Sequence, residues 1–517
     1  MSRGTRSSHF FIVRLRRCTK LLPSFSYFAI MYFRDISAEN TVCTKTEIYR
    51  KWYHSEILFS SKFLPSFIRS SSFSTNMSVE DCYYKFNRIL LKSLGLWPYQ
   101  DSKWACVQAT FMTIMYLSAI FVQLAVFITH ECTMDVLIKV FSFVFPTIFM
   151  FYTYYLYYLK SDTVSRRQVT TPRSSEHVIR IVYSLQIKEI MENMYQDWKF
   201  FKNKAELDIL NDYANLAKQF TEIFLFCLCV GIITTMMCHI IPITLDIVSP
   251  VNVSRAEDLH VAVEYFVDQS KYCYVLILHL TVFVCLGLTT VISVGITLYG
   301  YALHACALFK VANYRMEITM DKDILRIPNP QRQHVIRDRL ICAVITHRRA
   351  FLFCDLLMQN LQRSFLFITI IGVVSLSINL FRVSKSIFCT IYFSRSTKYL
   401  LNVHLTLQFL KAITAFEEVI EIIIPSILIF FHFVYMFLGN HVGQQITNTN
   451  AEIFNIICSL PWYTASLNVQ KLLPFLLQKS SKHFCISLGG IFNASYEGFT
   501  MLSKLSISYF TVLYAVQ

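Results

Sequence analysis

"VQATFMTIMYLSAIFVQLAVFIT", from Val107 to Thr129, is a long run of residues without a single charged side chain. A helix that crosses the hydrocarbon core of a bilayer needs about 20 mostly apolar residues. Backbone N–H and C=O groups find no water in that core, so a spanning segment of this kind must be helical. The run therefore predicts a membrane-spanning α-helix.

Six further stretches meet or nearly meet the same criterion, which predicts an all-α membrane protein with seven transmembrane helices. The last stretch is the least hydrophobic, because it carries Glu497 and Lys504. The six are Val136–Tyr158, Phe220–Ile247, Tyr272–Tyr299, Phe365–Leu380, Val419–Leu438 and Ile486–Val516.

Composition agrees with this class and excludes others. The chain has 517 residues, of which 54% are hydrophobic and only 16% are charged, and its mean hydropathy is +0.45. A soluble domain needs more polar surface than this, and the same apolar fraction argues against a nucleic-acid partner despite the net charge of +15. The 16 cysteines form no CxxC pair. No metal-ligand spacing, nucleophile elbow or phosphate loop is present, so we expect no enzyme activity, no metal and no cofactor.

Basic residues in the loops predict the orientation, since cytoplasmic loops are enriched in Lys and Arg. The segments between spans two and three and between spans four and five are basic, whereas the loops that follow spans one and three are acidic. The N-terminus is then cytoplasmic and the C-terminus extracellular. Asn252 begins an Asn-Val-Ser glycosylation sequon in a predicted outer loop. A G-protein-coupled receptor has the opposite orientation, so a metabotropic seven-span receptor is the alternative that topology would separate.

Four segments, in order, resemble parts of the insect odorant receptor family. They are "YYKFNRILLKSLGLWPYQ" (Tyr83–Gln100), "HACALFKVANYR" (His304–Arg315), "ICAVITHRRAFLFCDLL" (Ile341–Leu357) and "SLGGIFNASYEGFTMLSKLSISYFTVL" (Ser487–Leu513). In the last of these, Ser508, Tyr509 and Phe510 stand at the family's (Thr/Ser)-Tyr-Phe motif. The resemblance extends over residues 77–517. It implies the ligand-tuning, odorant-binding subunit of a non-selective cation channel in the plasma membrane of olfactory neuron dendrites, assembled as a heterotetramer with a co-receptor.

Two stretches depart from this pattern. Residues 1–76 precede the family-like start; they resemble a transit peptide or an extension from a misassigned gene start, and we favour the second. Val383–Lys411 falls between spans five and six, where the family has a short link. Val383-Ser384 can be encoded by a splice-donor consensus and Lys411 by a codon ending in AG, so we interpret the stretch as a retained intron. A true extracellular insertion is the alternative.

The last predicted helix carries a row of residues spaced four apart, which share one face of a helix. The row runs from Lys504 through Ser508 and Val512 to Val516. Small residues at this spacing are commonly packing positions between membrane helices. The resemblance implies instead that this face lines a pore shared by four subunits. Val512 and Val516 would then form an apolar gate that closes by excluding water.

The ligand implied by the resemblance is a small, apolar, volatile molecule, held between the outer halves of spans two, three, four and six. Candidate contacts come in pairs one helical turn apart, although ordinary packing would produce the same pattern. The candidates are Phe141 and Phe145, Thr235 and His239, and Tyr274 and Leu278. A gustatory-type receptor of the same superfamily is a further alternative. It is disfavoured because Tyr509 is not followed by that group's Gln-Phe ending.

Overall fold

The computed structural model describes residues 83–100, 102–160, 186–248, 262–329, 331–397, 405–481 and 484–516. The predicted extension at residues 1–76 and the sequon at Asn252 lie outside these ranges. Two compact units divide the chain. Among the described residues, the smaller unit is Phe127–Val136, a turn between two helices in which the Val136 amide donates to the Thr133 hydroxyl over 3.4 Å. The larger unit holds the rest and contains every feature discussed below.

The described chain is almost entirely α-helical, as the apolar runs predict. Two short 3-10 turns, Ile318–Met320 and Trp462–Thr464, interrupt the helices. The helices, in chain order, are α1 (Lys85–Ser93), α2 (Ser102–Thr129), α3 (Met134–Lys160), α4 (Gln186–Phe200), α5 (Lys204–Val248), α6 (Gln269–Glu317), α7 (Lys322–Leu325), α8 (Gln331–Thr397), α9 (Leu405–Ser459), α10 (Leu467–Gln470), α11 (Leu473–Ser480) and α12 (Tyr496–Val516).

Six of the described helices are long and apolar enough to cross a membrane, namely α2, α3, α5, α6, α8 and α9. Each contains one of the first six predicted spans. Several are far longer than a bilayer requires: the 67 residues of α8 correspond to about 100 Å, against a hydrocarbon core of about 30 Å. The polar ends of these helices therefore extend well beyond the membrane. The helix α12 is not among the six, and the seventh span stays a prediction.

The start of the predicted seventh span is a β-hairpin and not a helix. Strands β1 (Ser487–Leu488) and β2 (Phe492–Asn493) pair antiparallel, with Leu488 opposite Phe492. Gly489 and Gly490 make the turn possible, because their φ angles of 65° and 78° lie in the left-handed region that other residues avoid. The helix consequently begins at Tyr496, later than the predicted Ile486.

The suspected insertion is partly helical. The helix α8 continues through Val383 to Thr397, and α9 begins at Leu405, inside the same stretch. A helical conformation is compatible with both interpretations of Val383–Lys411, so the retained intron stays a prediction.

The helix α6 is central to the larger unit, where it packs against α5, α8 and α9, and α12 packs against α8 and α9. Buried ion pairs join the polar extensions of these helices. Asp197 of α4 accepts from Arg349 of α8 and pairs with Nε2 of His304 in α6 at 3.0 Å. Arg315 of α6 donates two hydrogen bonds, of 2.7 and 2.8 Å, to Glu206 of α5. These paired charges hold four helices together away from the membrane spans.

Candidate functional site

A cluster of aromatic side chains lies between α3, α8 and α9, inside the membrane-spanning part of the bundle. The helix α9 contributes His432 and Tyr435, which are one turn apart. The ring of Phe149 in α3 lies 5.9 Å from the imidazole of His432 and 5.0 Å from the ring of Tyr435, the latter edge-on. Ile368 and Ile371 of α8 complete the apolar wall. We call these residues the His432 site.

The imidazole of His432 is buried, and only one of its two nitrogens has a hydrogen-bond partner. Its Nδ1 lies 2.7 Å from the carbonyl oxygen of Leu428, one turn earlier on the same helix. Its Nε2 is buried and has no hydrogen-bond partner among the described residues. Buried polar atoms are paired in the great majority of folded proteins. The open Nε2 therefore marks the place in this cluster where a bound molecule would recover a hydrogen bond.

Gly372 of α8 leaves room beside the imidazole. A methyl group placed at this glycine would meet one atom within 4 Å, the Cδ2 of His432 at 3.9 Å, which is an ordinary van der Waals contact. Cδ2 is bonded to Nε2, so the open nitrogen and the space above Gly372 are adjacent. A larger residue at this position would occupy that space.

The chemistry of the His432 site suits the binding of a small molecule. Small-molecule sites are mostly apolar, with a few polar groups that fix orientation, and this cluster combines aromatic and branched aliphatic walls with one open acceptor. No nucleophile with an adjacent base lies in it. Within the described ranges, no group of His, Cys, Asp and Glu side chains could hold a metal ion.

The six predicted ligand contacts do not form one group. Phe141 and Phe145 of α3 have ring centroids 5.5 Å apart, and Phe145 packs in the same cluster as Phe149 and Tyr435. On α6, Tyr274 is 66% exposed and Leu278 is 62% exposed. These two side chains therefore point to the outer surface of the single chain, away from the aromatic cluster.

The predicted pair on α5 is only partly described. Thr235 is half-buried, and its hydroxyl donates to the carbonyl oxygen of Gly231 on the same helix over 2.8 Å. The side chain of His239 lies outside the described part of the structure. For these four residues, as for Phe141 and Phe145, a ligand contact stays a prediction.

Sequence reasoning missed the central residue, His432. One signal was available: an ionisable side chain within a membrane span is by default a functional candidate, and His432 lies in the sixth predicted span. Tyr435 and Phe149 carried no such signal. Their importance depends on which helices meet, and the apolar pattern of each helix by itself does not report this.

The row predicted on the last helix faces away from the rest of the chain. Lys504 and Ser508 are exposed and Val512 is 48% exposed, while the Ser508 hydroxyl donates to the Lys504 carbonyl oxygen over 2.9 Å. The side chain of Val516 is not described. An exposed face in one chain is what a pore shared between subunits would require, but the pore itself stays a prediction.

The opposite side of α12 packs on its neighbours. Phe510 and Leu513 contact a cluster that contains Ile378 and Phe381 of α8 together with Phe141 and Phe145. Tyr509, the middle residue of the family-like motif, packs on a separate cluster with Leu502 and Leu376. The hydroxyl of Ser377 in α8 also donates to the carbonyl oxygen of Ser506 over 3.0 Å. The motif residues Tyr509 and Phe510 thus lie on the packed side of the helix.

A second polar cluster joins α3 to α8 within the spans. Ser142 donates to the side-chain oxygen of Asn379 over 2.8 Å and accepts from Arg382 over 3.2 Å. The guanidinium of Arg382 also lies 4.9 Å above the ring of Phe143. Polar side chains bonded in this way are a usual means of joining membrane helices.

An open apolar groove of about 410 Å³ lies beside Phe510, between α12 and the end of the fifth span. Its lining is apolar apart from one hydroxyl group, and four of its six lining residues fall in the suspected insertion. The lining residues are Leu380, Val383, Ser384, Ile387, Phe388 and Phe510.

Comparison with known proteins identifies the fold. No protein-family model and no curated protein sequence matches the chain. Two solved structures of the insect olfactory receptor OR5 from Machilis hrabei do match. The receptor in complex with eugenol has a TM-score of 0.57 and 10% identity, covering 84% of this chain and 98% of that one. The second structure has a TM-score of 0.54 and 11% identity with the same coverage. The resemblance seen in the four sequence segments is thus confirmed at the level of the fold.

Proposed function

We propose that the chain is the odorant-binding, ligand-tuning subunit of an odorant-gated, non-selective cation channel. It would assemble with a co-receptor in a heterotetramer in the plasma membrane of olfactory neuron dendrites. The observation that carries the proposal is the His432 site, a buried aromatic site with one open acceptor, in a chain whose fold matches an olfactory receptor over 84% of its length. Its ligand would be small, largely apolar and volatile.

Packing supplies a physical connection between this site and the last helix. Phe145 belongs both to the cluster of Phe149 and Tyr435 and to the cluster that holds Phe510 and Leu513 of α12. A ligand that displaced Phe149 or Tyr435 would therefore press on a side chain that packs against the same buried residues as Phe510 and Leu513 of α12. Protein interiors are close-packed, so a small shift at one position is transmitted to its neighbours.

The proposed gate is the exposed face of α12 that holds Val512. An apolar constriction excludes water and ions, and a small widening or rotation admits both. Movement of α12 on α8 and α9 would change the spacing of Val512, and of Val516 one turn further on, around a shared axis. Binding at the His432 site would thereby open the pore.

Current recording tests this proposal. The chain would be expressed with an insect co-receptor and challenged with an odorant panel that includes eugenol, the compound bound in one of the similar structures. We expect odorant-evoked cation currents that require the chain and differ from those of the co-receptor expressed by itself. Normal surface delivery of both subunits, with no odorant-evoked current from a broad panel, would contradict the proposal.

Orientation separates the channel from a metabotropic receptor. An epitope after Gln517 should be labelled on intact cells, and an epitope before Met77 should be labelled only after permeabilisation. Removal of the sequon by Asn252→Gln should also lower the mass of the glycosylated chain, since that loop would be outside. The reverse labelling pattern would exclude the channel and favour coupling to a G protein.

A further inference from the structure

We infer that His432 makes this chain selective for odorants that carry a hydroxyl hydrogen-bond donor, such as alcohols and phenols. The inference rests on the proposed function, and it names the ligand class that the site would prefer. It is carried by the hydrogen-bonding geometry of a single buried side chain.

The tautomer of His432 follows from its partner. A carbonyl oxygen can only accept, so the contact of 2.7 Å with Leu428 requires the proton to be on Nδ1. In the neutral imidazole the other nitrogen, Nε2, is then a bare acceptor. An imidazolium would place a second buried N–H at the same unpaired position, with a full charge in an apolar cluster, which is the more costly arrangement.

No side chain of the His432 site is bonded to Nε2. Phe149, Ile368 and Ile371 offer only carbon atoms, Gly372 has no side chain, and the hydroxyl of Tyr435 makes no hydrogen bond with Nε2. An acceptor left unpaired in such surroundings keeps its full desolvation cost. A ligand hydroxyl that donates to Nε2 removes this cost, whereas an ether or a hydrocarbon of the same shape leaves it in place.

The space beside Gly372 gives the hydroxyl group a position. It adjoins the Cδ2–Nε2 edge of the ring, where a methyl group at Gly372 would make only one contact, of 3.9 Å. A hydroxyl located here reaches Nε2 while the rest of the ligand packs against the aromatic rings. Selectivity would thus come from one hydrogen bond and from the absence of a side chain opposite it.

The test compares matched ligand pairs on the channel with its co-receptor. Each pair is an alcohol or phenol and its methyl ether, for example 2-phenylethanol and its methyl ether. We expect the hydroxyl compound to reach half-maximal current at a concentration about tenfold lower, the size of one neutral hydrogen bond. In His432→Phe this ratio should fall to about one, because the hydroxyl loses its acceptor. In His432→Gln, which keeps a side-chain oxygen, part of the preference should remain.

His441 provides the matched control on the same helix. It pairs with the hydroxyl of Tyr496 at 2.9 Å, away from the aromatic cluster, so His441→Phe should keep the tenfold ratio. If His432→Phe does not reach the cell surface, the inference is still tested by the ratio of ether to alcohol sensitivity in the wild type and in His432→Gln.

The outcomes separate the inference from the proposed function. Odorant-evoked currents with equal sensitivity to each alcohol and its ether would overturn the inference and leave the channel proposal standing. This is also the result expected if a resident water occupies Nε2. A preference that persists in His432→Phe would place the selective group elsewhere in the protein. An absence of current with every odorant would instead count against the proposed function.

Discussion

Acidification is expected to destabilise this protein through one buried histidine, His347, which lies on the part of α8 that precedes the membrane span. His347 is 8% exposed, and its Nε2 lies 3.0 Å from the side-chain oxygen of Asn450 on α9. Phe351 packs edge-on against the imidazole at 4.8 Å. The pKa of His347 is lowered to about 4, chiefly by burial. The hydrogen bond with Asn450 raises the pKa in part, and the positive charge of Lys479 lowers it.

The direction and the size of the change in the free energy of unfolding follow from proton linkage. The pKa of an unperturbed histidine is 6.5, so between pH 6.5 and about 4 the unfolded chain binds a proton that the folded chain does not. The contribution of neutral His347 to the free energy of unfolding is therefore complete above pH 6.5, and it is lost as the pH falls from 6.5 to about 4. At 1.36 kcal/mol per pKa unit the whole window corresponds to about 3 kcal/mol, and at pH 5 the loss is about 2 kcal/mol.

Thermal unfolding of the detergent-solubilised complex, at pH 7.5 and at pH 5, measures this loss. His347→Gln is the informative variant, because glutamine can still bond Asn450 but does not titrate. The wild type should lose about 2 kcal/mol more on acidification than His347→Gln, which is a difference of about two degrees in unfolding temperature. His334→Gln, the same substitution at an exposed histidine of α8, shows the general effect of removing one imidazole.

An equal loss in the wild type and in His347→Gln would refute this reasoning, because the destabilisation would then arise from other groups. A smaller loss in the wild type than in the variant would mean that His347 gains stability on protonation. That result would contradict the buried position of its imidazole in the folded protein.

Three further predictions concern the last helix, the hairpin and the suspected insertion. Val512→Ser, expressed with the co-receptor, should raise the resting current by wetting the gate. Leu513→Ser, on the packed side, should reduce surface delivery and leave ion selectivity unchanged. The opposite pattern would mean that Leu513, and not Val512, faces the pore. Gly489→Ala should destabilise the protein by about 1 kcal/mol or more, because it strains the backbone and makes the new methyl group clash with the side chain of Leu366. Gly490→Ala meets no neighbour within 4 Å, so it should lower the unfolding temperature less, and equal effects would exclude the contact with Leu366. Antennal transcripts should mostly lack the codons for Val383–Lys411, and finding only the long form in functional tissue would exclude a retained intron.

The sequence was sufficient to predict the helical class and the position of most spans. Apolar runs such as Val107–Thr129 can satisfy their backbone polar groups in a bilayer only as helices, so composition and length carry the information locally. The first six predicted spans lie in helices of the structure for this reason. The face of α12 that carries Ser508 and Val512 was likewise readable, because residues four apart share a face in any helix.

The hairpin before α12 was within reach of the sequence but was missed. The pair Gly489-Gly490 is a recognisable turn signal, and reading Ile486–Val516 as one span overlooked it. A pattern of hydrophobicity averages over short turns, so it is least accurate at the ends of elements.

Only the tertiary structure decided the candidate site. The six long apolar helices are hydrophobic on several sides, so hydrophobicity did not tell the exposed Tyr274 and Leu278 from the enclosed Phe149. The importance of His432 depends on which groups surround its two nitrogens: Leu428 occupies Nδ1, and the apolar walls leave Nε2 open. Such surroundings are assembled from three helices far apart along the chain. Local sequence was therefore sufficient to predict which segments are apolar helices long enough to cross a membrane, and the packing of α3, α8 and α9 decided where the candidate site lies.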